Sequence, residues 1–397
     1  MSAEDGTIRS PWLTVWFSPR QTIERLVAAR PTHLVLPLAI LGTIAGTYNQ
    51  ISVIYSASFL SDWQLAISLL LFGAVFGTAW LYLYGLTLSW IGRWLGGQAS
   101  ALHLRAAFAW SALPTIIGFA LILIIDAVTG RGSTLDSVPL LVAASSLWSV
   151  VIFLLMLGRV ERFGFWRTVL TYVFNLVLLL GVAFCIRGFL YQPFNIPSRS
   201  MMPTLLVGDY VFVSKFAYGY GRFSLPVSRS LFSARVFGAE PARGDVVVFR
   251  APKDGLDYVK RVVGLPGDRI QMKNGELSIN DVQVKRDRLA DFEQLDACGG
   301  EGRGRAKRWR ETLPDGASYE TLDCVDNGPL DDTNVFTVPA GHFFALGDNR
   351  DNSIDSRMSS VGYIPVENLI GRVGLIFFSR EDSPSHVRFN RIGEIVR

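Results

Sequence analysis

Histidine and cysteine are scarce here, with four histidines and three cysteines in 397 residues. The cysteines show no Cys-x-x-Cys or Cys/His spacing, which argues against a zinc site. Only His342 and His386 fall in the second half of the chain, so a Ser-His-Asp triad has little to draw on. Charge is thin too: 18% of residues are charged, against about 25% for ordinary soluble domains. The shortfall sits between His33 and Leu190, where long apolar stretches dominate. No basic stripe with interleaved aromatics occurs, so a nucleic-acid partner is not expected. Arg303, Arg305, Lys307, Arg308 and Arg310 lie in a Gly-rich stretch and read as a solvated loop. The segment Met1–Arg30 lacks an apolar core, so no cleavable leader is expected there.

What the first half has is length of apolar run. A spanning helix needs about 20 mostly apolar residues. Five stretches qualify: His33–Ile54, Gln64–Trp90, Leu104–Ile125, Val138–Leu157 and Thr168–Leu190. Gly42-x-x-x-Gly46 and Gly73-x-x-x-Gly77 would permit close helix contacts. Lys/Arg placement alternates along the connecting segments. Arg9, Arg20, Arg25 and Arg30 precede the first span, and Tyr55–Trp63 carries none. Arg93 and Arg105 follow the second span, and Arg131 with Asp126 and Asp136 the third. Arg159, Arg162 and Arg167 follow the fourth. The positive-inside rule then puts the N-terminus of this multi-pass chain on the cytoplasmic side. An odd number of spans puts everything after Leu190 outside.

From Asp209 onward the chain reads as an ordinary β protein. Short Val/Ile/Phe/Tyr-rich runs are bounded by Gly, Pro or Asp, from Tyr210–Ser214 to Gly371–Phe378. Asn274-Gly275 between two alternating runs signals a hairpin. Arg286–Asn334 breaks the pattern and reads as an insertion between strands. Cys298 and Cys324 flank much of it; in an oxidising compartment they would pair as a disulfide, and otherwise stay two thiols. Cys185 lies in an apolar run and reads as a small core residue.

Three segments carry chemistry. In Ile196-Pro197-Ser198-Arg199-Ser200-Met201-Met202-Pro203, two prolines restrain a serine pair close to the last span. In Tyr258-Val259-Lys260-Arg261-Val262-Val263-Gly264-Leu265-Pro266-Gly267-Asp268, a lysine sits inside a β-branched run. Alternation puts Lys260 and Arg261 on opposite faces, so one of them is expected to point inward, where desolvation lowers a lysine's pKa. The third segment, Gly347 to Arg357, is densely polar. Counted from Asp348, an EF-hand would need Gly and Glu where Ser353 and Ser359 stand, so calcium is not expected. No metal or cofactor is called for.

Together with Arg243-Gly244-Asp245-Val246-Val247-Val248-Phe249, these segments resemble the sequence boxes of the type I signal peptidases, in the same order, from about Phe194 onward. The resemblance implies a Ser/Lys dyad, with Ser200 as nucleophile and Lys260 as general base. It implies that the Ser198 hydroxyl and the Ser200 amide form the oxyanion hole. It further implies that Ser353 hydrogen-bonds the lysine, and that Asp355 and Arg357 form a supporting ion pair. Ile196, Pro197, Leu205, Tyr258 and Val259 would wall shallow substrate pockets. Arg199 stands where many members have glycine. Roughly the first 160 residues resemble the Yip family of membrane domains, on the Ser18-Pro19-Arg20 lead-in and the Gly-rich spans.

The expected fold is therefore an N-terminal bundle of about five transmembrane helices plus a C-terminal, mainly antiparallel β domain. Residues 1–165 would form a Yip-like membrane domain, 166–192 a final anchor and 193–397 the peptidase, with an insertion at about 286–334. The expected function is removal of signal peptides from exported preproteins after small residues, through an acyl-enzyme. Membrane lipid and the export machinery are the other expected partners. A serine hydroxyl needs an adjacent base, and an ordinary lysine is neutral less than about 0.1% of the time at pH 7. The reading thus demands a buried amine.

Overall fold

The computed structural model describes residues 10–54, 67, 69–129, 138–224, 235–293, 297–298, 305–381 and 387–397. Tyr55–Trp63, Arg131, Asp136, Arg303 and His386 lie outside them. The chain divides into two compact units, Met1–Gly181 and Val182–Arg397.

The first unit is helical. Two short helices, α1 (Pro11–Phe17) and α2 (Pro19–Ala29), each begin with proline, whose missing N–H costs nothing in a first turn. Pro19, Thr22, Ile23 and Leu26 of α2 are buried at helical spacing, so this helix lays one stripe on the core. The apolar helices are α3 (Val35–Ile54), α4 (Thr78–Trp94), α5 (Ala101–Ser111), α6 (Leu113–Thr129), α7 (Val138–Glu161) and α8 (Phe165–Cys185). Among the described residues, four stretches are long and apolar enough to cross a membrane: Leu69–Trp94, Ala101–Ile125, Val138–Glu161 and Phe165–Leu190. The first expected span, His33–Ile54, corresponds to α3, whose apolar stretch Val35–Tyr48 is shorter than the other four. Many large apolar side chains on these helices stay exposed, among them Leu140, Leu147, Phe174 and Leu180, as suits surfaces solvated by lipid. Gly73 and Gly77 do press against α3: a Cβ at Gly77 would lie 2.8 Å from Thr43 Oγ1. Gly46 differs, since a Cβ there would meet nothing within 4 Å. Cys185 is exposed rather than core, because α8 presents an apolar exterior in that turn.

The second unit is built of antiparallel sheets. Its strands are β1 (Tyr191–Asn195), β2 (Asp209–Ser214), β3 (Val246–Arg250), β4 (Asp257–Gly264), β5 (Arg269–Lys273), β6 (Glu276–Ile279), β7 (Val282–Gln283) and β8 (Lys285–Arg288). There follow β9 (Phe292–Glu293), β10 (Arg305–Thr312), β11 (Ser318–Asp323), β12 (Phe336–Thr337), β13 (His342–Leu346), β14 (Ile364–Pro365) and β15 (Leu369–Ser379). The main sheet runs β1-β2-β15-β3-β4-β13-β14. A second sheet runs β12-β5-β6-β7, and a third β11-β10-β8, with β9 also paired to β10. Asn274 and Gly275 both take positive φ, 51° and 74°, at the β5–β6 hairpin. That is the backbone a two-residue primed turn requires.

The expected insertion is more ordered than its sequence suggests. It contributes the β10–β11 hairpin, paired from Lys307–Asp323 to Thr312–Ser318. Its strands are polar because arginines cover an aromatic there: the Arg286 and Arg288 guanidinium carbons lie 4.0 and 5.1 Å from the Trp309 ring centroid. Arg305, Lys307, Arg308 and Arg310 therefore sit on a strand and not in a solvated loop.

Candidate active site

Ser200 sits in an excursion between β1 and β2. Its ends are pinned where Ile196 N–H donates to the Asp209 carbonyl at 2.9 Å and Gly208 N–H to the Ile196 carbonyl at 3.0 Å. Inside the excursion, Leu205 N–H donates to the Met201 carbonyl at 2.8 Å, winding one tight turn behind the serine. Ile196, Met201 and Leu205 drop into the apolar core with Val211, Val213 and Val248. The loop is thus held by its apolar residues while Ser198 and Pro197 remain exposed.

Lys260 is central on β4, opposite Val247 of β3. Its Nζ lies 2.7 Å from Ser200 Oγ, across 60 residues of sequence, and 3.0 Å from the Val259 carbonyl. Lys260 is 4% exposed and Ser200 8%. Burial pulls the Lys260 amine down to about 8; Asp355 and Asp348 oppose the fall, and Arg357 adds to it. Ser198 Oγ lies 3.3 Å from Ser200 Oγ. The arrangement therefore couples a hydroxyl to an amine that is neutral in useful amounts near pH 8, with a second hydroxyl alongside.

Both Lys260 and Arg261 are buried, so the inward-facing residue expected of this pair is joined by its neighbour on the opposite face. Arg261 is neutralised on its own face. Its Nε and Nη2 donate to Asp348 Oδ1 and Oδ2 at 2.8 and 2.7 Å, and Nη1 to the Gly244 carbonyl at 2.7 Å. Its guanidinium carbon stacks 4.1 Å from the Tyr319 ring centroid. Two further buried pairs involve arginines of the segment that holds Asp348. Arg350 Nη2 donates to Glu311 Oε2 at 2.5 Å. Arg357 Nε and Nη2 grip Asp355 Oδ1 and Oδ2 at 2.9 and 2.8 Å. Burial alone would raise the Asp355 carboxyl, but Arg357 and the Gly347 amide hold it below the usual carboxylate range. Asp355 Oδ2 accepts that amide at 3.0 Å, so the ion pair also sets the backbone at Gly347.

Gly347 is tightly enclosed. A Cβ there would overlap the Ser353 side chain and stand 2.6 Å from the Ser200 carbonyl oxygen. Ser353 departs from expectation: among the described residues its buried Oγ has no hydrogen-bond partner. The side chain packs on Gly347, and the Lys260 amine is engaged by Ser200 Oγ and the Val259 carbonyl instead. Ile196 and Val259 belong to one apolar cluster, and Tyr258 packs against the neighbouring one. Leu205 is fully buried, so it backs the expected substrate wall and does not line it. Cys298 and Cys324 are disulfide-bonded, with Cα atoms 5.5 Å apart, and pack near Met202, Leu206 and Val207. Among the described residues no cluster of His, Cys, Asp or Glu could hold a metal.

Sequence reasoning overlooked Gly347, Asp348 and Asn349 as individuals. Their signal was present in the density of polar residues directly after the apolar run Phe343–Leu346.

The profile of the family described as signal peptidase, peptidase S26, matches residues 169–378, more than half of the chain. The chain belongs to the signal peptidase family. Signal peptidase I of Rickettsia typhi is 39% identical over 214 residues, covering 52% of this chain and 78% of the relative. That of Rickettsia akari is 39% identical over 210 residues, covering 51% and 76%. A crystal structure of a signal peptidase I from Enterococcus faecalis aligns at 25% identity over 34% of this chain and 97% of its own, with a TM-score of 0.20. The Yip1 domain profile matches residues 13–186. This signal peptidase is thus a membrane-bound serine endopeptidase that joins a Yip1-type helical unit to its β-rich peptidase unit.

Proposed function

We propose that Ser200 is the nucleophile and Lys260 the general base of this peptidase, acting on signal peptides of exported preproteins after small residues. The observation that carries the reading is the 2.7 Å approach of a buried lysine amine to Ser200 Oγ. With Lys260 neutral, its lone pair accepts the Ser200 O–H. As Oγ bonds to the scissile carbonyl carbon, the proton passes to Nζ. The resulting oxyanion meets the Ser198 hydroxyl and the Ser200 N–H; one such donor contributes about 3 kcal/mol in comparable sites. The C–N bond then breaks, and the departing amine takes the proton from Lys260. Water attacks the acyl-enzyme, giving its proton to Lys260, and collapse of that adduct returns a proton to Ser200 Oγ.

Asp355 and Arg357 support the site through Gly347, and Ser353 supports it by packing. Ile196, Pro197, Tyr258 and Val259 border the path of an extended substrate, with Leu205 behind them. The reading divides the chain into a membrane domain at 1–165, an anchor at 166–192 and the peptidase at 193–397. It places the N-terminus in the cytoplasm, the spans in the inner membrane among its lipids, and the peptidase on the periplasmic side near the export machinery. Basic residues before the first span and after the fourth support that orientation.

The deciding experiment is cleavage of an Ala-x-Ala preprotein in liposomes by wild type, Ser200→Ala and Lys260→Ala. Wild type should cut after the small residue while both folded variants are inactive. Cleavage by Lys260→Ala would remove the dyad assignment.

A further inference from the structure

Asn349 is fully buried two residues beyond Gly347 and makes three bonds around the nucleophile turn. Its backbone N–H donates to the Ser200 carbonyl at 3.1 Å. Its side-chain Nδ2 donates to the Arg199 carbonyl at 3.3 Å and to the Ala297 carbonyl at 2.7 Å. Nδ2 has two hydrogens and faces two carbonyl acceptors, which fixes the amide orientation, since Oδ1 in that place would accept nothing. The Arg199 carbonyl also accepts the Met202 N–H at 3.1 Å, so Asn349 occupies its second lone pair.

We infer that Asn349 is the positioning residue of the oxyanion hole. The inference rests on Ser200 being the nucleophile. The peptide group between Arg199 and Ser200 is planar and trans, so its C=O and N–H point in opposite directions. Gripping the Arg199 carbonyl from one side aims the Ser200 N–H to the other, where the oxyanion forms. The peptide group after Ser200 is held as well, through its carbonyl. One residue therefore ties both planes that meet at the Ser200 Cα, and with them φ and ψ of the nucleophile. The second acceptor, Ala297, adjoins disulfide-bonded Cys298. The hairpin insertion thus braces the amide from behind, which gives that segment a part in catalysis without touching substrate.

The test uses full-length protein in detergent and compares wild type with Asn349→Asp and Asn349→Ala. Three quantities are read: kcat and KM on an Ala-x-Ala preprotein, the affinity of a substrate-like peptide aldehyde, and the affinity of the same peptide as an amide. The aldehyde binds as a tetrahedral adduct of Ser200 and needs the oxyanion hole; the amide does not. A misaimed donor should lower kcat about 10- to 100-fold with KM within about twofold. Aldehyde affinity should fall in step with kcat, amide affinity should stay within about twofold, and the pH at half-maximal kcat/KM should not move. The ratio of the two affinities does not depend on how much of a variant is folded, so a poorly folding variant still reports. Wild-type kcat and aldehyde affinity in either variant, or equal weakening of both peptides, overturns the inference. Ser200→Ala is run beside them: cleavage by that variant would sink the nucleophile assignment itself, a different failure.

Discussion

At Lys260, burial and reactivity are the same fact. An amine drawn from 10.5 to about 8 by its apolar site is charged in the folded protein only below that pH. Between about 8 and 10.5 the unfolded chain binds a proton that the folded one does not, so stability rises with pH across that window. The burial cost is fully present below pH 8, at about 3 kcal/mol, and is gone above 10.5. Lys260→Met should therefore be more stable than wild type by about that amount at pH 6 and no more stable at pH 11, as thermal unfolding in detergent would show. In wild type, kcat/KM should climb about tenfold per pH unit below pH 8 and level above it, because only the neutral amine accepts the serine proton. A limb set near pH 6.5 would instead point to a histidine base. Gly347→Ala makes a separate demand. Its new methyl meets the Ser200 carbonyl and the Ser353 side chain, so activity should drop about 100-fold with a stability loss of about 1–3 kcal/mol. Ser200 and Lys260 were legible in the sequence through their motifs. Gly347 and Asn349 were not, because their roles lie in backbone proximity and amide direction, which no residue type announces.

At the scale of elements, two buried arginine–carboxylate pairs bind β4 and the β10–β11 hairpin to the 347–357 segment, and a third, Arg357–Asp355, braces that segment internally. Removing one partner of such a pair strands a charge and costs about 3–5 kcal/mol. Arg261→Met and Asp348→Leu should each unfold well below wild type, whereas the double variant should recover much of the loss. Equal, additive losses would show that the pair is not coupled. The hydrophobic alternation of β2, β4, β5 and β6 was readable because each is apolar on at least one face. The β10–β11 hairpin was not, since its inward residues include Glu311 and its Trp309 is covered by Arg286 and Arg288 of β8. Only tertiary partners make that strand pattern favourable.

For the whole molecule, the apolar first half and the β-rich second half were legible from composition alone, and the two compact units follow that split. Composition marked a first span at His33–Ile54 as well, but the apolar stretch of α3 is shorter than those of the four helices that clearly qualify. Orientation makes the prediction at this scale: in spheroplasts, an external protease should digest the β unit and spare an N-terminal tag. The disulfide makes another. Replacing both Cys298 and Cys324 by alanine should lower stability by about 3–4 kcal/mol in the chain-entropy account, and only in protein that was folded under oxidising conditions.

The place of β15 sets a timetable for synthesis. That strand, at Leu369–Ser379, lies between β2 and β3 in the main sheet. On one side of it stand β1 and β2, which carry the serine's loop; on the other stand β3 and β4, which carry the lysine. A chain emerging from the ribosome holds both chemical partners long before it holds the strand that joins their halves of the sheet. If Ser200 and Lys260 are the dyad, the protease is unarmed while it is being made, and acquires its cutting power only when β15, near the end of the peptidase unit, arrives.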